Sequence, residues 1–320
     1  MGEIGLDDIA IEIPIGRIAA LRRSEPGAPK VLALHGWLDN AASFIPLSAQ
    51  LPGLDLVAID LPGHGRSAHL PPGADYSFVG AINAILDVAD ALGWGRFAFL
   101  GHSMGAGLAS MIAAACPERI ERLVAIEALG ALAEVPEGTV ARMREAVAAN
   151  RALKDKRLRT FPDLDTAVRA RAYASRVPGS GLGEAQVRLL VERGVREVEG
   201  GYEWSSDPRL TLPTMTRMTE PQIENLVAGI ECPVRALFAD LPDACDNTLA
   251  IARMCAVMAE EKKPELPICP KVKEGMTEAE TVRDMAKRGL EARLDAQGTT
   301  DREPYRERLA FELDIIEKMG

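Results

Sequence analysis

The pentapeptide Gly101-His102-Ser103-Met104-Gly105 constrains this chain more than any other stretch. It follows an apolar run at 97–100 and opens an Ala- and Gly-rich segment at 104–115. A strand that enters a helix through so short a turn displays the middle residue at the bend. Strand and helix can then close on each other only if the first and last positions are small. Gly101 and Gly105 meet that demand, so Ser103 reads as an unencumbered hydroxyl rather than an ordinary turn serine.

Such a unit implies a buried parallel sheet, and the flanking sequence supplies one. Apolar runs bounded by Gly and Pro at 31–34, 56–59, 97–100, 123–126 and 234–238 alternate with helical patterns over 44–51, 78–92 and 104–115. Buried strands alternating with helices predict an α/β fold with a parallel sheet covered on both faces. Residues 9–13 and 17–21 flank Pro14-Ile15-Gly16 and predict an opening hairpin. The βα rhythm breaks between Leu129 and Cys232. Residues 131–215 are expected to form a mostly helical cap, with a short hairpin near Gly200-Gly201-Tyr202-Glu203-Trp204. The core is then 1–130 plus 216–240, and 241–320 is a helical tail. In the tail, Thr277-Glu278-Ala279-Glu280 is a capping box, followed by Val282, Met285 and Leu290 near one face and a stop at Gly298. A last helix runs from about Glu303 with Tyr305, Leu309, Leu313 and Ile316 as its stripe.

Net charge is −10, with basic residues interspersed among acids, which argues against a nucleic-acid partner. The five cysteines, at 116, 232, 245, 255 and 269, form no C-x-x-C pair, so neither a disulfide framework, a metal site nor a cofactor is expected. Residues 1–20 lack a basic segment followed by an apolar core, and no apolar run approaches the roughly 18 residues of a spanning helix. A soluble, cytoplasmic protein without a membrane partner is expected.

Displayed hydroxyls of this kind perform acyl transfer, whose tetrahedral intermediate needs two aligned backbone N–H donors. One comes from the residue after the nucleophile and the other from the loop following an earlier strand, which points to Met104 and Trp37. His35 reads first as a packed loop residue. Phe161, Trp204, Met215 and Met218 suggest an apolar acyl pocket under the cap, although such residues are more often plain core.

His35-Gly36-Trp37-Leu38-Asp39-Asn40 with Phe44, Asp60-Leu61-Pro62-Gly63-His64-Gly65-Arg66-Ser67, the Ser103 pentapeptide, Arg193-Gly194 and Asp207-Pro208-Arg209-Leu210 occur in this order. With them, residues of about 9–238 resemble the α/β-hydrolase superfamily, and more narrowly its serine hydrolase-like branch. The resemblance implies an eight-stranded sheet, a helical cap and hydrolysis of a small-molecule ester through an acyl-enzyme. It implies an acid after the strand at 234–238, which points to Asp240, with Asp243 and Asp246 competing. Glu127 stands where some hydrolases of this fold place the acid instead. A serine at position 103 disfavours epoxide and haloalkane chemistry, which use an aspartate there.

The departure comes afterwards. Such sites place Ser, acid and His in chain order, yet no histidine follows His102. His35 and His64 are candidate substitute bases, His102 is a poorer one because an elbow turns adjacent side chains apart, and His69 lies on a loop without assigned place. From about residue 236 the chain instead resembles a fragment of the bacterial DNA polymerase III alpha subunit. The resemblance rests on Leu241-Pro242-Asp243-Ala244-Cys245-Asp246-Asn247-Thr248, Ile251-Ala252-Arg253, Pro267-Ile268-Cys269-Pro270-Lys271, Tyr305-Arg306-Glu307-Arg308-Leu309 and Glu312-Leu313. This implies a fused gene in which the family's eighth strand and its histidine are replaced. The strand at 234–238 would then be an edge that 266–272, a helix or a second copy of the chain covers, so a homo-oligomer is expected. Three activities fit: a weak esterase, a site completed by a partner, or a silent scaffold. The rival class is an interaction protein recruiting partners through its tail.

Overall fold

The computed structural model describes residues 5–153, 159–174, 183–237, 277–296 and 301–319. They fall into two units, 1–254 and 255–320. In the first, strands β1 (Asp7–Ile13) and β2 (Gly16–Arg23) form the expected hairpin, in register from Asp7 opposite Arg22 to Ile13 opposite Gly16. Then come β3 (Lys30–Leu34), a 3₁₀ turn (Ala41–Phe44), helix α1 (Ile45–Ser48), β4 (Asp55–Ile59), α2 (Ala81–Ala91), β5 (Phe97–His102), α3 (Met104–Ala115) and β6 (Ile120–Ile126). The helix expected over 44–51 is split because Pro46 cannot donate to a preceding turn, and the Asn40 side chain caps the 3₁₀ turn instead. Helix α2 starts later than expected, after a turn in which Ser77 Oγ accepts the Gly80 N–H at 3.0 Å.

Helices α4 (Thr139–Ala152), α5 (Leu164–Ala174) and α6 (Glu184–Gly194) follow, with the hairpin β7 (Val195–Val198) and β8 (Gly201–Trp204). Gly200 and Gly201 adopt positive φ, 88° and 137°, which the tight β7–β8 turn requires. Helix α7 (Glu220–Ala228) leads into β9 (Val234–Leu237). Among the described residues the main sheet has seven strands in the order β1-β2-β4-β3-β5-β6-β9. β3, β4, β5, β6 and β9 run parallel, and β2 joins β4 antiparallel.

The central strands β3, β4 and β5 bury both faces, as their continuous apolar runs require. Leu32, Leu34, Val57, Ile59, Phe97 and Phe99 pack with α2 and α3 residues such as Ile85, Leu108 and Ile112. Val31, Ala33, Leu56, Ala58 and Leu100 pack with Ala41 and Phe44 on the other face. Each fully buried large side chain there contributes roughly 1.5–3 kcal/mol. Every parallel strand therefore ends at one edge of the sheet, where Ser103 is displayed.

In the second unit, α8 (Glu278–Ala296) begins at the expected capping box: Thr277 N donates to Glu280 Oε2 (2.8 Å) and Glu280 N to Thr277 Oγ1 (3.2 Å). It packs with α9 (Glu303–Met319), and Glu291 receives Arg306 from that helix. Among the described residues Leu294 and Leu313 are buried, whereas Met285 and Tyr305 of the expected stripes are exposed. Among the described residues no helix is long and apolar enough to cross a membrane. Residues 266–272 lie outside the described residues.

Candidate active site

Ser103 sits between β5 and α3 with φ 49° and ψ −114°, a backbone conformation that costs a non-glycine residue on the order of 1–3 kcal/mol. The bend is held by its N–H on Ile126 O (2.8 Å) and by Gly107 N–H on its carbonyl (3.1 Å). The need for glycine on both sides is steric. A Cβ on Gly105 would lie 2.1 Å from Leu34 O, and one on Gly101 would lie 2.4 Å from Ala106 Cα. Ser103 occupies the N-cap of α3, yet its side chain makes no capping hydrogen bond. The hydroxyl is thus left to other chemistry.

Met104 is the first residue of α3, so its N–H has no acceptor within the helix and faces an anion-favouring helix N-terminus. Trp37 follows Gly36, and a Cβ on Gly36 would meet Ser103 Cβ at 3.5 Å, which brings the loop after β3 against the elbow. That loop turns sharply: Asp39 N donates to Gly36 O (3.1 Å) and Leu38 has φ 57°. The cap grips it at three points. Trp37 Nε1 donates to Leu210 O (2.9 Å), Asn40 Nδ2 to Leu190 O (2.8 Å), and Arg171 of α5 pairs with Asp39. Burial raises the Asp39 pKa against the opposing pull of Arg171.

The four histidines differ in what their nitrogens do. His35 is fully buried. Its Nε2 accepts the Leu61 N–H (3.0 Å), so the ring proton is on Nδ1 and is donated to Gly36 O (2.7 Å). Burial pushes its pKa down to about 4. His64 packs edge-on against it at 5.0 Å, donates Nδ1–H to Pro62 O (3.1 Å), and is pushed by burial down to about 3. Both rings are neutral structural supports for the two loops, and the His35 lone pair is already used. His69 donates Nε2–H to Ser205 O (2.8 Å) and lies 3.4 Å from Asp207 Oδ2, fastening its loop to the cap return. His102, at the end of β5, places Nε2 3.0 Å from Oε2 of Glu127, which directly follows β6 at φ 65°. Asp240 and Asp243 lie outside the described residues.

Of the four residues expected to form an acyl pocket, two meet in the cap. Phe161 and Trp204 stack edge to face at 5.1 Å inside the cap's own core with Val168, Val187 and Val191. Met218 lines an open cleft of about 430 Å³ with Pro221, Gln222, Asn225 and Leu226. Met215 is half-buried in the segment before α7. Sequence reasoning missed the buried ion pair of Arg193 with Asp60 (2.9 Å), although both residues stand in the quoted motifs; their separation in sequence left no local signal. It also missed the cluster in which Asp207 accepts from Tyr76 and Arg209 and so shapes the cap return.

The alpha/beta hydrolase fold family matches residues 29–208. A serine hydrolase-like protein of Dictyostelium discoideum is 31% identical over 239 residues, 71% of this chain and 65% of that protein, so the chain spans slightly less than two thirds of its length. A probable serine hydrolase of Drosophila melanogaster is 32% identical over 248 residues, 73% of this chain and 72% of that protein. The crystal structure of a hypothetical protein from Pseudomonas aeruginosa PAO1 superposes with a TM-score of 0.70 at 38% identity, covering 78% of this chain and 87% of that one. A stretch of 88 residues, 27% of this chain, is 50% identical to DNA polymerase III subunit alpha of Caulobacter vibrioides and spans 8% of that protein. The chain belongs to the alpha/beta hydrolase fold family, and its homologues there are serine hydrolase-like proteins.

Proposed function

We propose that the protein hydrolyses small carboxylic esters through an acyl-enzyme on Ser103, with low turnover and best on short or activated esters. The observation that carries this reading is the strained Ser103 itself: its backbone is held at positive φ and its hydroxyl makes no capping bond to the helix it opens. In the reaction the Oγ attacks the ester carbonyl, the developing oxyanion is received by the N–H groups of Met104 and Trp37, the alcohol leaves, and water releases the acid.

Low turnover is inferred because no histidine stands between Ser103 and Gly320, where chain order would place the triad base. Loss of the triad base in a serine hydrolase lowers kcat by about 2 × 10⁶, whereas oxyanion stabilisation and binding retain about 10³–10⁴ over water. The same absence supports a second reading, a hydrolase-shaped scaffold without catalysis. Hydrolysis of p-nitrophenyl acetate by the chain beside its Ser103→Ala variant separates the two. Turnover that disappears in the variant supports the esterase, and equal background rates support the scaffold. For the polymerase-like segment we propose an in-frame join near Asp240, which sequencing of that region from an independent DNA template tests.

A further inference from the structure

We propose that His102, oriented by Glu127, is the general base that serves Ser103. This rests on the reading of Ser103 as a nucleophile.

Four histidines are present in the sequence; besides His102, two are fastened through both ring nitrogens and the third is buried. His35 spends its lone pair on Leu61 N–H, His69 is fastened to Ser205 and Asp207, and His64 has an unpartnered Nε2 that is shut away by burial beneath its loop. His102 directly precedes Ser103, at the carboxyl edge of the sheet, with its side chain 31% exposed. Glu127 can only accept when ionised, so the 3.0 Å contact places the ring proton on Nε2 and leaves the lone pair on Nδ1. An acid that fixes the tautomer of a histidine beside a serine is the functional order of a catalytic triad.

The position of Nδ1 carries the argument further. The side-chain point that Gly36 lacks is 3.0 Å from His102 Nδ1 and 3.5 Å from Ser103 Cβ. The positive φ of Ser103 brings these two neighbours against one small space, beside the backbone that leads to the Trp37 N–H. A proton can cross that space directly or through one water. As Ser103 Oγ forms its bond to the ester carbon, the Oγ–H bond breaks and the proton goes to Nδ1, while the carbonyl π pair moves to oxygen. Collapse of the adduct breaks the ester C–O bond, and the leaving alkoxide takes the proton back from Nδ1. Water repeats the cycle on the acyl-enzyme. The charged groups around His102 are Glu127, directly after β6, and Asp39 from the loop after β3 with its Arg171 partner from α5; the neutral but titratable His35 ring lies behind the loop.

The test is the pH dependence of p-nitrophenyl acetate hydrolysis from pH 5 to 9 for the wild type, Ser103→Ala, His102→Gln, His102→Asn and Glu127→Gln, each checked for an unchanged thermal melt. His102→Gln is expected to lower kcat about 10²–10⁴-fold with little change in KM and to remove the acid limb of the profile. Glu127→Gln should lose part of that rate. Labelling of Ser103 by a fluorophosphonate, followed by intact mass, gives a second reading that needs no turnover and should slow in both His102 variants. If Ser103→Ala abolishes turnover but the His102 variants keep the rate and the acid limb, the assignment of His102 is wrong and the serine reading stands. If Ser103→Ala changes nothing, the serine reading falls and takes the base with it.

Discussion

Arg193 Nε lies 2.9 Å from Asp60 Oδ1, and this buried pair fastens the last turn of cap helix α6 to the carboxyl end of β4. The Asp60 carboxylate also accepts the N–H of Ala41 and of Arg66, both at 2.8 Å, so one side chain joins the cap, the 3₁₀ turn after the Trp37 loop and the loop bearing His64. Arg193 reaches on to Asp8 of β1 (2.6 Å). Burial works against the Arg193 charge, but the two carboxylates outweigh it and raise its pKa.

Removing one partner strands the other as a buried charge, which costs about 3–5 kcal/mol. Arg193→Met is therefore expected to lower the melting temperature by on the order of 10 °C. The double variant Arg193→Met with Asp60→Leu should lose less than the sum of the two single changes. Additive losses in thermal melts would show that the pair does not act as a unit.

Ser103 is strained for its position rather than for its neighbours, so the strain should respond to glycine alone. Ser103→Gly is expected to raise unfolding free energy by about 1 kcal/mol, since relief of the positive φ exceeds the entropy that glycine adds to the unfolded chain. Ser103→Ala keeps a Cβ and should gain nothing. Urea midpoints that rank the alanine variant above the glycine variant would contradict the stored strain.

His35 and His64 make stability depend on mild acid. Their pKa values are depressed to about 4 and about 3 in the folded protein, against 6.5 for the free side chain. Below pH 6.5 the unfolded chain binds protons that the folded chain refuses, so stability is complete above that pH and falls as pH drops toward 4 and then 3. Each proton contributes a slope of about 1.4 kcal/mol per pH unit within the window. Denaturation at pH 7.5, 6 and 5 should show this decline, and His35→Gln should make it shallower. A flat response between pH 6.5 and 5 would refute the buried neutral assignment.

The features legible in the sequence share a short reach. Gly101 announces the elbow because its demand for space comes from Ala106, five residues on, and Gly105 because it closes the same pentapeptide, although the backbone it makes room for is that of Leu34 in β3. The runs at 31–34, 56–59 and 97–100 announce buried strands because every residue of them meets a packed layer. Thr277 and Glu280 announce a helix start because a capping box closes over three residues. Partners far apart in sequence were not legible: Asp60 and Arg193 stand 133 positions apart. Phe161 and Trp204 looked like pocket residues and instead fill the cap core, since apolar character does not say which layer will bury it.

The amino-acid sequence by itself determined the alternation of strands and helices, the displayed serine and the small residues around it, and the lack of a histidine after position 102. The first of these follow from local sterics and hydrophobic periodicity, and the last is a count of residues. Only the tertiary structure decided which histidines are buried or fastened, and that Glu127 stands against His102 while Asp60 holds Arg193 across 133 positions of chain. Hydrogen bonds and ion pairs act over about 3 Å in space and leave no mark on spacing along the chain, so packing alone selects the partners.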